Sequence, residues 1–287
     1  MRNEISTEES IKQFLHRKLR SPFLIAGLIL IFVFILISIA PQIFTPYTLL
    51  QAFQTQSGPY GLPSPEHPLG QTFNGYDVAA VIVYSIPTSL KLATLAVVIS
   101  LAAGIFFGYL AGRFNLKVYT IIMAGMIFFY VLPTIVIAMV IANISVSYYH
   151  ISSNFVLIIS ALLIPSFTRI IANSLSQKLD AKYLFKTVVC YIPLHFGLAI
   201  LIIESIGYLG LFDPSVQTLS NLVNYGRINL SSAPWASLYP GVTIFGIVLS
   251  FFLLYIGLQD YGYTPRSFKV KFWRSKSKSE SLGDMEK

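Results

Sequence analysis

Residues 168–186 read TRIIANSLSQKLDAKYLFK, a short polar and basic interval set between two long apolar runs. Leu175, Leu179 and Tyr183 recur every four residues, so a single helix would carry them as one apolar stripe. Lys178, Lys182 and Lys186 repeat that spacing and form a basic stripe about 100° further round the same helix. A short amphipathic helix of this kind, lying between membrane spans, can dock into another protein. A solvated connector whose lysines only enforce topology would carry the same residues. The flanking sequence has to separate the two.

Apolar residues make up 55% of the chain and charged ones 11%, with a mean hydropathy of +0.69. Soluble domains carry about 25% charged residues, so this is the composition of an integral membrane protein in contact with lipid. The net charge of +8 is dispersed between apolar runs and not gathered into an aromatic-laced patch, which argues against nucleic acid as a partner. The single cysteine, Cys190, lies inside an apolar run and excludes an internal disulfide and a cysteine-based metal cluster.

Residues 1–22 form a polar segment ending in Lys12, Arg17, Lys18 and Arg20. Residues 23–40 are then apolar apart from Gly27 and Ser38, and Pro41 closes the run. A helix of that length covers roughly 27 Å, close to the bilayer core, and is longer than the core of a cleavable signal peptide. It reads as a first, uncleaved transmembrane helix. Residues 41–90 form a loop with turns, proline-rich between Pro59 and Pro68. The last part of this loop, Asp77 to Leu90, turns apolar around Pro87 and suits the membrane interface. Hydropathy places further spans near 91–111, 118–142, 155–172, 187–210 and 236–258, so that 91–258 is the transmembrane core and 259–287 a basic tail. Pro133, Pro165 and Pro193 fall within spans, where neighbouring helices can satisfy the freed carbonyls. Gly104, Gly108 and Gly112 form a ladder of small residues that favours close helix contact. The fold expected is an all-α bundle of six transmembrane helices.

With six spans, all of the 20 basic residues except Lys91 and Arg227 fall on one side. The positive-inside bias makes that side cytoplasmic, with both termini and residues 168–186 on it, and the loops 41–90 and 211–235 outside.

No enzyme constellation is present. His16, His67, His150 and His195 sit in different segments without metal-ligand spacing. There is no phosphate-binding glycine loop followed by Lys-Ser/Thr, and no G-x-S-x-G turn. Catalytic, metal and cofactor sites are therefore not expected on this chain. Glu204 is the ionisable residue that stands out, because a carboxylate in an apolar run is costly unless paired or hydrated. It lies near the outer end of its span, where water or Lys91 could satisfy it, and is either a structural, interfacial residue or part of a polar pathway. His195 lies deeper in the same run beside Pro193 and suits packing or hydrogen bonding better than proton relay.

Two outward segments carry a resemblance to a known family. His67-Pro68-Leu69-Gly70, followed by Gly75 and Asp77, resembles the H-P-L-G-T-D-x-x-G-R-D signature of dipeptide/oligopeptide (and nickel) ABC-importer permeases. Glu204-Ser205-Ile206-Gly207-Tyr208-Leu209-Gly210 resembles that family's E-A-S-L-S-F-L-G. Gly226-Arg227 and Ala233-Pro234-Trp235 through Tyr239-Pro240-Gly241 resemble its G-R and A-P-W-x-x-x-F-P-G stretch. Order, spacing and the six-span plan agree from about residue 20 to 260, and the short first external loop resembles that of the second permease subunit. Gln71-Thr72 replaces the family's Thr-Asp pair, and Tyr76 stands in place of its Arg. The cytoplasmic loop lacks the family's Ala-Ala and following glycine, and is about twenty residues shorter by its spacing to Glu204.

The resemblance implies half of the pore of a peptide-class importer in the cell membrane. A second permease subunit would complete the pathway, two ABC ATPase subunits would bind ATP and engage the loop at Leu175, Lys178, Leu179, Lys182, Tyr183 and Lys186, and an external substrate-binding protein would dock on the outer loops. Peptide, nickel chelate and sugar import share this permease pattern. Two other readings stay open: a degenerate structural or regulatory subunit, and an ion-coupled secondary transporter. The transporter would draw on Glu204 and His195.

Overall fold

The computed structural model describes residues 21–55, 58–131, 151–177, 181–211 and 216–259. Among them the chain is all-α, with one isolated bridge between Gln71 and Asp77. Helix α1 is Pro22–Ile39, started by proline in its first turn and by Ser21, whose hydroxyl accepts the Leu24 N–H. A single turn, α2, follows at Leu49–Ala52. The long helices are α3 (Val78–Arg113), α4 (Leu116–Val131), α5 (Ile151–Ser176) and α6 (Ala181–Tyr208). A short helix α7 (Leu219–Gly226) precedes α8 (Trp235–Gln259). Helices α1, α3, α5, α6 and α8 are each long and apolar enough to cross a membrane, and α4 is a shorter apolar helix. The protein is a multi-pass helical membrane bundle.

The most extensive contact joins α3 to α5, and the glycine ladder is its cause. A Cβ on Gly104 would stand 2.4 Å from Phe167 Cβ, one on Gly108 2.7 Å from Ile171 Cβ, and one on Gly112 2.7 Å from Leu175 Cβ. Only hydrogen at those positions lets the two backbones run side by side. Both series of numbers rise together, so α3 and α5 are parallel. A second close pair joins α8 to α1: Gly27 meets Leu254, and Gly257 meets the backbone of Leu24. Here the numbers run in opposite senses, so these helices are antiparallel. Ile86, Ile159, Phe167, Ile200, Ile203 and Ile247 fill the centre. Helix α1 turns Ile25, Ile29 and Phe32 outward, an arrangement suited to lipid.

Two expectations change. Val78–Arg113 is one continuous helix through Pro87, and not an interfacial stretch followed by a span from residue 91. Asp77 starts it by accepting the Ala80 N–H at 2.7 Å, and Val78, Val81, Ile82, Ser85, Ile86 and Ser89 are buried in the bundle.

The second change concerns the stretch quoted first. Leu175 and Tyr183 do not share a helix face, because α5 ends at Ser176 and α6 begins at Ala181. Residues 177–180 have the length of a connection between antiparallel helices. Residues 168–176 are periodic because they continue α5 along the glycine ladder, and Leu175 packs on Gly112. Tyr183 belongs to the first turn of α6, and Lys186 follows on the same helix. Lys178 and Leu179 lie outside the described residues, as does the Lys182 side chain.

Candidate functional site

The parallel run of α3 and α5 puts Arg113 and Ser176 at one end of the bundle. The starts of α3 and α8 and the end of α6 lie at the other, and the three resembling segments gather there.

The first is built on Asp77. One carboxylate oxygen caps α3, and the other lies 3.0 Å from His67 Nδ1. His67 is fixed from its own backbone: its N–H donates to Ser64 Oγ and its carbonyl accepts from Gly70 N–H. Gly70 has φ +73°, and a Cβ there would lie 2.6 Å from the Trp235 indole. The Trp235 Nε1–H donates to the Gln71 carbonyl at 3.3 Å. His67-Pro68-Leu69-Gly70 and Ala233-Pro234-Trp235 therefore meet face to face. Gly75, with φ +72°, closes the turn back to Thr72. Gln71, where the family pattern has threonine, is buried and donates to the Gly75 carbonyl.

The second is built on Glu204, which is 4% exposed. The Ser89 hydroxyl of α3 donates to its Oε1, and the Ser220 N–H of α7 donates to Oε2 at 2.8 Å. Thr218, at the cap position of α7, makes no side-chain cap bond. The Glu204 carboxylate takes that role, where a negative charge suits the helix dipole. The partners are thus Ser89 and Ser220, and not Lys91, which is exposed. Gly207, one turn on, lets α7 approach: a Cβ there would fall 2.1 Å from Ser220 Oγ. Gly210 (φ +73°) ends α6 with its N–H on the Gly207 carbonyl and the Leu211 N–H on the Ile206 carbonyl. Gly226 abuts the backbone of Ala236 at the start of α8, and Arg227 lies over the Tyr208 ring, 5.3 Å from its centroid.

An open cleft of about 360 Å3 runs between α6, α7 and α8, with Glu204, Tyr208 and Ser220 in its lining. His195 is elsewhere. It lies nine residues earlier on α6, roughly 14 Å along the helix, is fully buried, and stacks on Phe167 with 3.8 Å between ring centroids. Its Nδ1 is 2.8 Å from the Tyr191 carbonyl, and its buried Nε2 has no hydrogen-bond partner among the described residues. Glu204 and His195 do not form a common site. Ser89 and Ser220 carry no signal of their own in the sequence. Asp77 does, as a capping residue directly before an apolar run.

No family model matches the chain. It is 26% identical over 275 residues to a dipeptide transport system permease protein of Alkalihalophilus pseudofirmus, covering 88% of each chain. It is 26% identical over 272 residues to a glutathione transport system permease protein of Pectobacterium atrosepticum, covering 87% of this chain and 89% of that one. Along most of its length the chain is thus similar to permease proteins of dipeptide and glutathione transport systems. A dipeptide transport system permease protein of Haemophilus influenzae matches at 24% over 261 residues, 82% of this chain and 88% of its own. The segments that carry the resemblance are the ones that lock the loops onto the helix ends: Asp77 on α3, Trp235 on Gln71, and Glu204 on α7.

Proposed function

We propose that this chain is a permease subunit of a binding-protein-dependent ABC importer for peptides and supplies one half of its translocation pathway. The observation that carries the reading is similarity, over 82–88% of its length, to permease proteins of dipeptide and glutathione transport systems. Those relatives are transport proteins, and this chain supplies a route and no catalytic group. ATP binds to two partner ATPases, a second permease completes the pathway, and an external binding protein delivers the cargo. In this proposal the chain lies in the cell membrane with both termini in the cytoplasm. The end bearing Arg113 and the α5–α6 connection faces the ATPases, and the end bearing His67 and Glu204 faces out. Transport proceeds by alternating access, with packed helix pairs moving as semi-rigid bodies.

One observation favours a second reading, a structural or regulatory permease subunit. Only residues 177–180 separate α5 from α6, and Leu175 is engaged with Gly112. What remains of the stretch for contact with an ATPase is then the first turns of α6. An ion-coupled transporter draws no support from the geometry, since Glu204 and His195 stand apart.

Affinity purification of the tagged chain from its native membrane tests the proposal. Recovery of a second permease with two ATPases, together with ATP-dependent dipeptide uptake that stops on deletion of the gene, supports the importer. A second permease without ATPases supports the structural subunit.

A further inference from the structure

Past the end of α1 the chain folds into an elbow, residues 41–53, built from a single 3-10 turn at Pro41–Ile43 and the one turn of α2. Its inner side is fixed. Ala52 and Thr45 are buried, and the Phe53 ring meets Tyr76 edge-on with 6.1 Å between centroids. The Tyr84 hydroxyl of α3 donates to the Tyr47 carbonyl at 2.8 Å. Its outer side is apolar and uncovered: Ile43 is 72% exposed and Leu50 78%, and Phe44 and Leu49 are exposed with them. The backbone is thus held in a conformation that turns four large apolar side chains away from the protein.

Depth, continuity and charge together identify what covers them. Helix α1 is antiparallel to α8, so it ends at the Glu204 end of the bundle. Its 18 residues cover roughly 27 Å and use up the hydrocarbon core. The Tyr84 anchor lies five residues, roughly 7 Å of helix, beyond Ser89, which bonds Glu204. That rise is about the depth of one headgroup layer, about 5–7 Å. Exposed Tyr208 at the end of α6 and Tyr239 near the start of α8 lie at the same end, as aromatic belts do at a membrane interface. The exposed face of α1 continues through Ile35, Leu36 and Ile39 into Ile43 and Phe44. From Ser21 to Pro65 the chain carries no Asp, Glu, Lys, Arg or His. A docking surface for a soluble protein has a polar rim around its apolar centre. A bilayer interface instead takes apolar side chains below and uncharged polar ones above, and Gln42, Thr48 and Gln54 are exposed on this segment.

We propose that residues 41–53 form a lipid-binding elbow, with Ile43, Phe44, Leu49 and Leu50 inserted at the boundary between the headgroups and acyl chains of the nearer leaflet. Through the Tyr84 bond and the Phe53–Tyr76 contact, the elbow sets the height of the start of α3 in the bilayer. The inference depends neither on the cargo nor on which side of the membrane this end faces.

The test uses the full chain with the subunits that co-purify, in phosphatidylcholine nanodiscs with or without lipid carrying a nitroxide at the top of its acyl chain. Single cysteines, Ile43→Cys, Leu50→Cys or Leu62→Cys, are introduced on a Cys190→Ala background and labelled with a nitrobenzoxadiazole fluorophore. Leu62 is a matched control: it is 71% exposed and lies farther out, beside Gly61, whose carbonyl accepts the Gln71 N–H. The labels at 43 and 50 are expected to be quenched at least about twofold more strongly than the label at 62. Quenching at 43 and 50 no stronger than at 62 overturns the inference. So does quenching seen for the isolated chain and lost when the other subunits are bound, because a protein and not lipid then covers the elbow. Repeating the comparison with Cys190 retained, its thiol buried, frees the result from any effect of that substitution on folding.

Discussion

Gly104→Ala tests the packing at the centre of the bundle. The added Cβ would stand 2.4 Å from Phe167 Cβ and 3.3 Å from both Phe167 C and Thr168 N. Carbon atoms rest at about 3.5–4.0 Å, so α3 and α5 must part by roughly 1 Å or Phe167 must yield. Phe167 has nowhere to go: it is fully buried and its far face stacks on His195 of α6. Overpacking of this kind costs about 1–3 kcal/mol, while replacing glycine by alanine inside a helix returns up to about 1 kcal/mol. The net expectation is a loss of ~1–2 kcal/mol. The control is Gly125→Ala on α4, where no atom lies within 4 Å of the new Cβ and only the helix gain remains. Thermal unfolding of the purified chain in one detergent should give a midpoint several degrees below wild type for Gly104→Ala, and one at or above wild type for Gly125→Ala. A Gly104→Ala midpoint equal to that of the control would refute the close approach of α3 to α5.

Asp77→Ala should lower the unfolding midpoint by the equivalent of about 0.5–2 kcal/mol through loss of the α3 cap, while Asp77→Asn, which keeps an acceptor for the Ala80 N–H, should lower it less; equal losses would shift the weight from the cap to the His67 pair. Cysteines at the exposed positions Ser231 and Ser176 should label from opposite sides of the membrane, Ser231 from outside in intact cells and Ser176 only after permeabilisation; the reverse pattern would invert the orientation. Ser220, also in the outer loop by hydropathy, is buried against Glu204 and would not report. Leu175→Ala should lower the unfolding midpoint, because Leu175 packs on Gly112, whereas Tyr183→Ala should weaken ATPase recovery in the affinity purification more than Leu175→Ala does. If the effects of the two substitutions are exchanged, the assignment of Leu175 to the bundle and Tyr183 to the coupling surface is wrong.

Hydropathy located most helices to within a few residues because lipid tolerates little else. The 23–40 run became Pro22–Ile39, and the last span became Trp235–Gln259. It failed at residues 77–90 for a physical reason. That stretch mixes serine, proline and tyrosine with apolar residues, and its place inside the bundle depends on a polar cap and a buried serine face that hydropathy does not register. The four-residue rhythm at 168–186 misled differently. A stripe read across Leu175, Leu179 and Tyr183 assumes an unbroken helix, and the same rhythm arises when one helix ends and its neighbour begins. The segments around His67, Glu204 and Trp235 were visible as a resemblance, but their mutual contacts were not. Those contacts join residues separated by 115 positions for Glu204 and Ser89, and by 164 for Trp235 and Gln71.

Among the described residues two pairs of long helices, α3 with α5 and α1 with α8, run backbone to backbone at distances that only glycine permits. Such pairs resist deformation, because any side chain added or shifted at the seam has no room. Helix α6 lies between them, in contact with α3, α5 and α8, and its links to α3 differ in kind along its length. At His195 the link is a buried stack on Phe167, which is itself wedged against Gly104. At Glu204 it is polar, a carboxylate shared between Ser89 of α3 and the start of α7. Hydrogen bonds can be exchanged for water or for a ligand at little net cost, whereas a tight seam can be opened only by losing its packing. Motion of α6 and α7 relative to the α3–α5 pair is therefore least costly at the Glu204 end. That is also the end where the cleft between α6, α7 and α8 opens.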